Sequence, residues 1–307
     1  MAFTYKPSAF LAFRDPEACE RVRKIKKEDI TKHWNSEFKI RVIEDAGEFY
    51  AAFALDIVSR IVRGAEEGRK VVMILPVGPV PQYTIAVEMI NRLRISCKHV
   101  ITFNMDEYAD NEGRTAPADW PGSFQTSMWD SFFGKIDPEL RMLEKNIHFP
   151  SSDNIKDYGK MITDAGEADV CYGGIGWSGH IAFWEPHLAD EFKGDLEAWK
   201  KAGPRIVTLH PITIMQNALH SFNADWSWVP PKAATIGPAQ IVNARDRSFW
   251  LDGVCGPVAS MSWQRFIARL AAHGPVTPWV PGSILQTLPG SYTILGGVAE
   301  NVEISMR

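Results

Sequence analysis

Residues 70–75 read KVVMIL, and from Val71 onward no polar side chain interrupts the run. A segment this short and this uniformly apolar fits a strand covered on both faces, as the strands of a parallel sheet are. Its neighbours support that reading. Upstream, FKIRVIE at 38–44 reads as a strand, and DAGEFYAAFALDIVSRIVR at 45–63 carries apolar residues at helical spacing behind Asp45, a suitable N-cap. Downstream come a helical pattern at 82–93, the strand-like HVITFNM at 99–105, helical patterns at 123–133 and 155–166, and the strand-like ADVCYGGIG at 168–176. Such alternation requires right-handed crossovers and predicts an α/β fold: an open, mostly parallel sheet with helices on both faces. Further strands are expected at 205–209, 233–237, 248–253 and 292–297. A helix is expected at 257–274, opened by Pro257 and closed by Gly274.

The polar, basic stretch RVRKIKKEDITKHWN precedes the first strand, so residues 1–37 read as an N-terminal extension that wraps a single domain over 38–307. No linker or repeat divides that domain. The net charge of −4 provides no global positive field for nucleic acid, and no run is long enough for a membrane span. The N-terminus lacks a signal-peptide core, and Cys19, Cys97, Cys171 and Cys255 form no CxxC pair. The expectation is a cytoplasmic protein whose partner is a small molecule or another copy of itself.

Ligands of open α/β sheets bind beyond the carboxyl ends of the strands, and that rule selects three loops. LPVGPVPQY at 75–83 stands where a phosphate is often held, but Pro79 and Pro81 have no N–H to donate. It reads first as a rigid turn, with Gly78 supplying a special backbone angle. TFNMDEYAD at 102–110 places Asp106 and Glu107 directly after a strand. Two adjacent carboxylates in a cleft repel, and one can then serve as an acid or base, although a helix cap or solvated turn fits the pair equally. GGIGWSGHIAFWEP at 173–186 combines glycines that permit close approach with His180, which exchanges protons near neutral pH, and Glu185, placed to orient it. A histidine among apolar residues is also commonly structural. Trp177 and Trp184 fit either a core or subunit interface, or platforms that stack on a sugar.

Together TFNMDEY at 102–108 and GGIGWSGHIAFWEP at 173–186 resemble the glucosamine-6-phosphate deaminase (isomerase) family, which is related to 6-phosphogluconolactonase and built on a Rossmann-like sheet. VPPKAATIG at 229–237 resembles a third element of that family, with Lys232 in the place of its lysine. The resemblance implies a catalytic set of Asp106, His180 and Glu185. Asp106 would move a proton between carbons 1 and 2 of an opened sugar, His180 would open the ring, and Glu185 would support His180. It implies a sugar substrate, a homo-oligomer, and neither metal nor organic cofactor. Substrate contacts are expected from Gly78, Glu107, Gly176, Trp177, Ser178, Gly179, Trp184 and Lys232.

The departures from the family pattern are specific. Ser178 stands where the family has an aspartate, PVGPVP replaces a loop rich in glycine and threonine, and Leu219 aligns with its phosphate-binding arginine. One lysine is a poor replacement for the several charge-assisted donors a phosphate dianion needs. The expectation is therefore an amino sugar, or another sugar, with an altered or absent phosphate. A non-catalytic sugar-binding regulator of the same fold and a sugar lactonase are the alternatives.

Overall fold

The computed structural model describes residues 5–255 and 261–304. In chain order its elements are α1 (Pro16–Arg23), β1 (Phe38–Ile43), α2 (Ala46–Glu66), β2 (Val71–Leu75), α3 (Val80–Arg92), β3 (Val100–Asn104), β4 (Asp106–Ala109), α4 (Phe124–Ser131), β5 (Ile147–His148), α5 (Ile155–Asp164) and β6 (Val170–Gly173). They continue with α6 (Leu196–Lys200), β7 (Arg205–Thr208), α7 (Pro211–Ser221), β8 (Lys232–Thr235), α8 (Pro238–Asn243), β9 (Asp246–Leu251), β10 (Val254–Cys255), β11 (Met261–Ser262), α9 (Arg265–His273), β12 (Gly290–Leu295) and α10 (Gly296–Ala299).

Seven strands form one sheet in the order β1-β12-β9-β6-β2-β3-β5, and every pairing in it is parallel. All five residues of β2 are buried, as its unbroken apolar run requires. From β1 the chain moves through β2 and β3 toward β5, then reverses and runs through β6 and β9 to β12. Right-handed crossovers travelling in opposite directions place their helices on opposite faces. The reversal also decides where a ligand can enter. Neighbours β2 and β6 send their chains in opposite directions, so the loops after Leu75 and Gly173 diverge and leave a crevice between them.

Three sequence expectations are corrected. The segments at 205–209 and 233–237 are strands, but they leave the main sheet: β7 and β8 join β4, which starts just beyond the carboxyl end of β3, in a separate antiparallel sheet. The stretch around Asp106, read as a loop, is therefore strand, with Asp106 opposite Thr235 and Ala109 opposite Lys232. The expected helix at 257–274 begins only at Arg265, because Met261–Ser262 pairs with Val254–Cys255; Pro257 and the rest of 257–260 lie outside the described residues. The N-terminal residues are docked on the sheet domain: the Arg21 guanidinium donates to the His273 carbonyl, and Lys27 pairs with Glu44 and Glu300.

Candidate active site

Only Met105 separates β3 from β4, so Asp106 and Glu107 are successive residues of a strand and point to opposite sides. Glu107 turns toward α4, where its carboxylate accepts from the backbone N–H groups of Phe124 (3.0 Å), Gln125 (2.9 Å) and its neighbour Tyr108 (2.9 Å). It anchors the first turn of that helix, whose N–H groups have no partner within the helix. Asp106 turns the other way. It is 8% exposed, and no side chain or backbone group among the described residues donates to its carboxylate. Burial, with the charge of Glu107 added, pushes its carboxyl well above the ordinary aspartate range.

The loop after β6 is organised around His180, which is 7% exposed. Its Nδ1 lies 2.9 Å from Ser178 Oγ and 2.9 Å from Thr213 Oγ1, with Glu185 Oε2 at 3.4 Å. Ser178 donates to Glu185 Oε2 at 2.8 Å, and the backbone N–H of His210 donates to Glu185 Oε1 at 3.1 Å. An ionised carboxylate only accepts, so the Ser178 proton points to Glu185 and its lone pairs are left for Nδ1–H. The arrangement selects the tautomer with the proton on Nδ1 and leaves Nε2 unprotonated. Burial would raise the Glu185 carboxyl, but the adjacent imidazole, Thr213 and the His210 N–H together hold it below its ordinary value. Two glycines make the loop possible. A Cβ on Gly176 would sit 2.0 Å from His180 Nε2, and Gly179 has φ +92°.

Asp106 and His180 line one cavity of about 240 Å³ in the crevice between the β2 and β6 loops. Gly78 and Gly176 line it as well, as do Phe124 and Phe183. The expected special backbone angle is not found at Gly78: its φ is not in the left-handed region, and a Cβ on it would meet nothing within 4 Å. Sequence reasoning missed Gln82, Gln216, Asn217, Trp250, Asp252 and Gln264, all of which face the cavity. Asp252 directly follows β9, so the strand-end rule that selected three loops would have selected it too. Among the described residues no three His, Cys, Asp or Glu side chains are grouped as a metal site.

A glucosamine-6-phosphate deaminase of Caenorhabditis elegans is 35% identical to this chain over 221 residues, covering 69% of the chain and 75% of that protein. The chain belongs to the glucosamine-6-phosphate deaminase family. A second member, from Mannheimia succiniciproducens, is 33% identical over 209 residues, covering 65% of this chain and 71% of its own. A solved monomeric glucosamine-6-phosphate deaminase superposes with a TM-score of 0.71 at 22% identity, covering 85% of this chain and 99% of that one. The 6-phosphogluconolactonase of Thermotoga maritima shares the fold at a TM-score of 0.54 and 16% identity, covering 83% of this chain and 98% of its own. No family model matches the sequence.

Within this glucosamine-6-phosphate deaminase framework several expected substrate contacts are reassigned. Lys232 Nζ donates to the Asn111 carbonyl at 2.7 Å and does not face the cavity. Glu107 is occupied by α4. Trp184 is 0% exposed, donates to the Ile236 carbonyl at 2.7 Å and stands edge-on to Trp199, so it is a core residue. Trp177 is 42% exposed and lines a separate hollow beside Phe13 and Trp263. Ser178 and Gly179 act behind His180 rather than at the cavity wall. Leu219 is exposed, while Gln216 and Asn217 of the same helix reach the cavity. No lysine or arginine lines the cavity among the described residues.

Proposed function

We propose that this protein opens the ring of an amino sugar that carries no phosphate and moves a proton between carbons 1 and 2, releasing the amine as ammonia. One observation carries the reading: Asp106, a buried carboxyl without a hydrogen-bond donor, and His180, fixed by Ser178, Thr213 and Glu185, face one monosaccharide-sized cavity that lacks a cation among its described lining residues. His180 Nε2 takes the proton of the anomeric hydroxyl and returns one to the ring oxygen, which opens the ring. Asp106 then takes the proton from carbon 2. The C–H electron pair becomes the double bond between carbons 1 and 2, and the carbonyl oxygen takes up a proton. Return of a proton to carbon 1 gives an imine at carbon 2, and water replaces the nitrogen there, leaving a ketose and ammonia. A carbon acid beside a carbonyl needs a positioned base, and Asp106, with its raised affinity for protons, supplies one.

The proposal extends to a cytoplasmic location and to self-association. Cys19, Cys97 and Cys171 are free, in keeping with a reducing compartment, and no helix among the described residues is long and apolar enough to cross a membrane. Exposed Trp226 and Trp228 offer aromatic surface for a second copy. The reaction is tested by incubating the protein with glucosamine and with glucosamine 6-phosphate and measuring ammonia and ketose. Turnover of glucosamine at the higher kcat/KM supports the reading. Turnover of neither sugar, or release of acid from a sugar lactone instead, refutes it.

A further inference from the structure

Asp106 enters the cavity at the start of β4, two residues beyond β3, whereas Asp252 enters directly after β9. Strands β6 and β2 lie between β9 and β3, so the strand ends that lead to the two acids are three strand spacings apart, roughly 14 Å along the sheet at about 4.8 Å per strand. Beside Asp252 stands Gln82, in the first turn of α3. Gln82 is 2% exposed and lines the cavity; its Nε2 donates to Asp252 Oδ2 at 3.1 Å, while its Oε1 has no hydrogen-bond partner. While Asp252 is ionised the amide cannot be turned over, because the carboxylate needs the N–H side facing it. Gln82 is the one side chain that donates to the Asp252 carboxylate among the described residues, and no lysine or arginine faces it in the cavity. Asp252 and Gln82 therefore present acceptors to this end of the cavity, one of them a buried carbonyl oxygen without a partner, while Trp263 Nε1 and Asn217 Nδ2 line the same cavity as unpaired donors.

We propose that Asp252 and Gln82 form the specificity subsite for the end of the sugar remote from carbons 1 and 2, accepting hydrogen bonds from a hydroxyl or an ammonium group and rejecting a phosphate. The proposal rests on the sugar-isomerising reading above for which end of the substrate reacts. A donor group satisfies Gln82 Oε1 and the free lone pairs of Asp252 together. A phosphate brings more acceptors and a like charge, with no cation to offset either. Burial holds the Asp252 carboxyl above its ordinary range, as expected for an acid without a cation partner, and a ligand ammonium would relieve that cost.

Three sugars that differ only at carbon 6 separate the cases: glucosamine with a hydroxyl, 2,6-diamino-2,6-dideoxyglucose with an ammonium, and glucosamine 6-phosphate. Calorimetric Kd values with the intact wild-type chain should favour the hydroxyl or ammonium sugar over the phosphate by at least about 100-fold. An ammonium preference identifies a charge-reading site, and a hydroxyl preference a neutral one. The isosteric Asp252→Asn variant, checked for an unchanged melting temperature, should narrow that gap by about 10-fold or more. Phosphate binding equal to or tighter than the others in the wild-type chain, or binding of none of the three, overturns the subsite whatever the variant does, as does an unchanged ratio in a folded Asp252→Asn protein. Because the readout is binding, this binding order without turnover would refute the reaction and still support the subsite.

Discussion

The turn after β3 and the loop after β6 each deliver a titratable side chain to the same cavity, and they prepare it in opposite ways. Asp106 is prepared by isolation: its sequence neighbour Glu107 collects three backbone N–H groups, and Asp106 receives none. His180 is prepared by a network, in which two hydroxyls and a buried carboxylate fix one ring nitrogen. A base that must pull a proton from carbon gains from a high proton affinity, which desolvation provides. A group that both gives and takes protons gains instead from fixed orientation and tautomer, which hydrogen bonds provide.

The largest effect should come from the isolated acid. Asp106→Asn should lower kcat by about 10²–10⁴-fold, the usual range for loss of a general base. Wild-type kcat/KM should also fall on an acid limb lying above ~3.9, the ordinary aspartate value. The sign of the stability effect is fixed by the same shift. The folded state retains a proton that the unfolded state releases, so stability falls as pH rises from the ordinary aspartate pKa to the raised one. At neutral pH the melting temperature of Asp106→Asn should therefore be equal to or above that of the wild-type protein. A lower value would show that Asp106 is tied into the fold after all.

Ser178→Ala tests the networked side. It removes the hydroxyl between His180 and Glu185, and hydrogen bonds to charged groups contribute about 1.5–3 kcal/mol, so kcat should drop about 10- to 100-fold. Because Nδ1 is then held by Thr213 and Glu185 alone, the pH optimum should move as well, which a purely structural serine would not cause. Glu107→Gln should do the reverse of Asp106→Asn, costing about 1–3 kcal/mol in urea unfolding as α4 loses its anchor, with kcat changed by only a few-fold. The smallest effect belongs to Lys232→Ala. It should leave stability within about 0.5 kcal/mol and should not raise the KM of glucosamine 6-phosphate, because its ammonium is bonded to a loop carbonyl outside the cavity.

These contrasts also mark what the sequence could reveal. Continuous apolar runs such as Val71–Leu75 announce buried parallel strands, and the strand-end rule leads directly to the loops bearing Asp106 and His180. The resemblance was legible because the residues that carry it are contiguous. The resemblance singled out Asp106, but that Glu107, expected as a substrate contact, turns away was not legible, because it depends on the four residues of β4 being strand, and that is decided by pairing with β8, more than a hundred residues away. Trp184 fails for a similar reason: its partners Trp199 and Ile236 are brought to it by the fold. Asp252 and Gln82 are separated by 170 positions, and nothing local to either hints at their contact.

Exchange of the carbon 2 proton of glucosamine with solvent, followed by NMR in deuterium oxide, bears most directly on the claim that Asp106 and His180 serve one sugar. Deuterium should enter at carbon 2 or carbon 1 with the wild-type protein and should be nearly absent with Asp106→Asn. Exchange that proceeds undiminished in Asp106→Asn, or none with the wild-type protein, would contradict it.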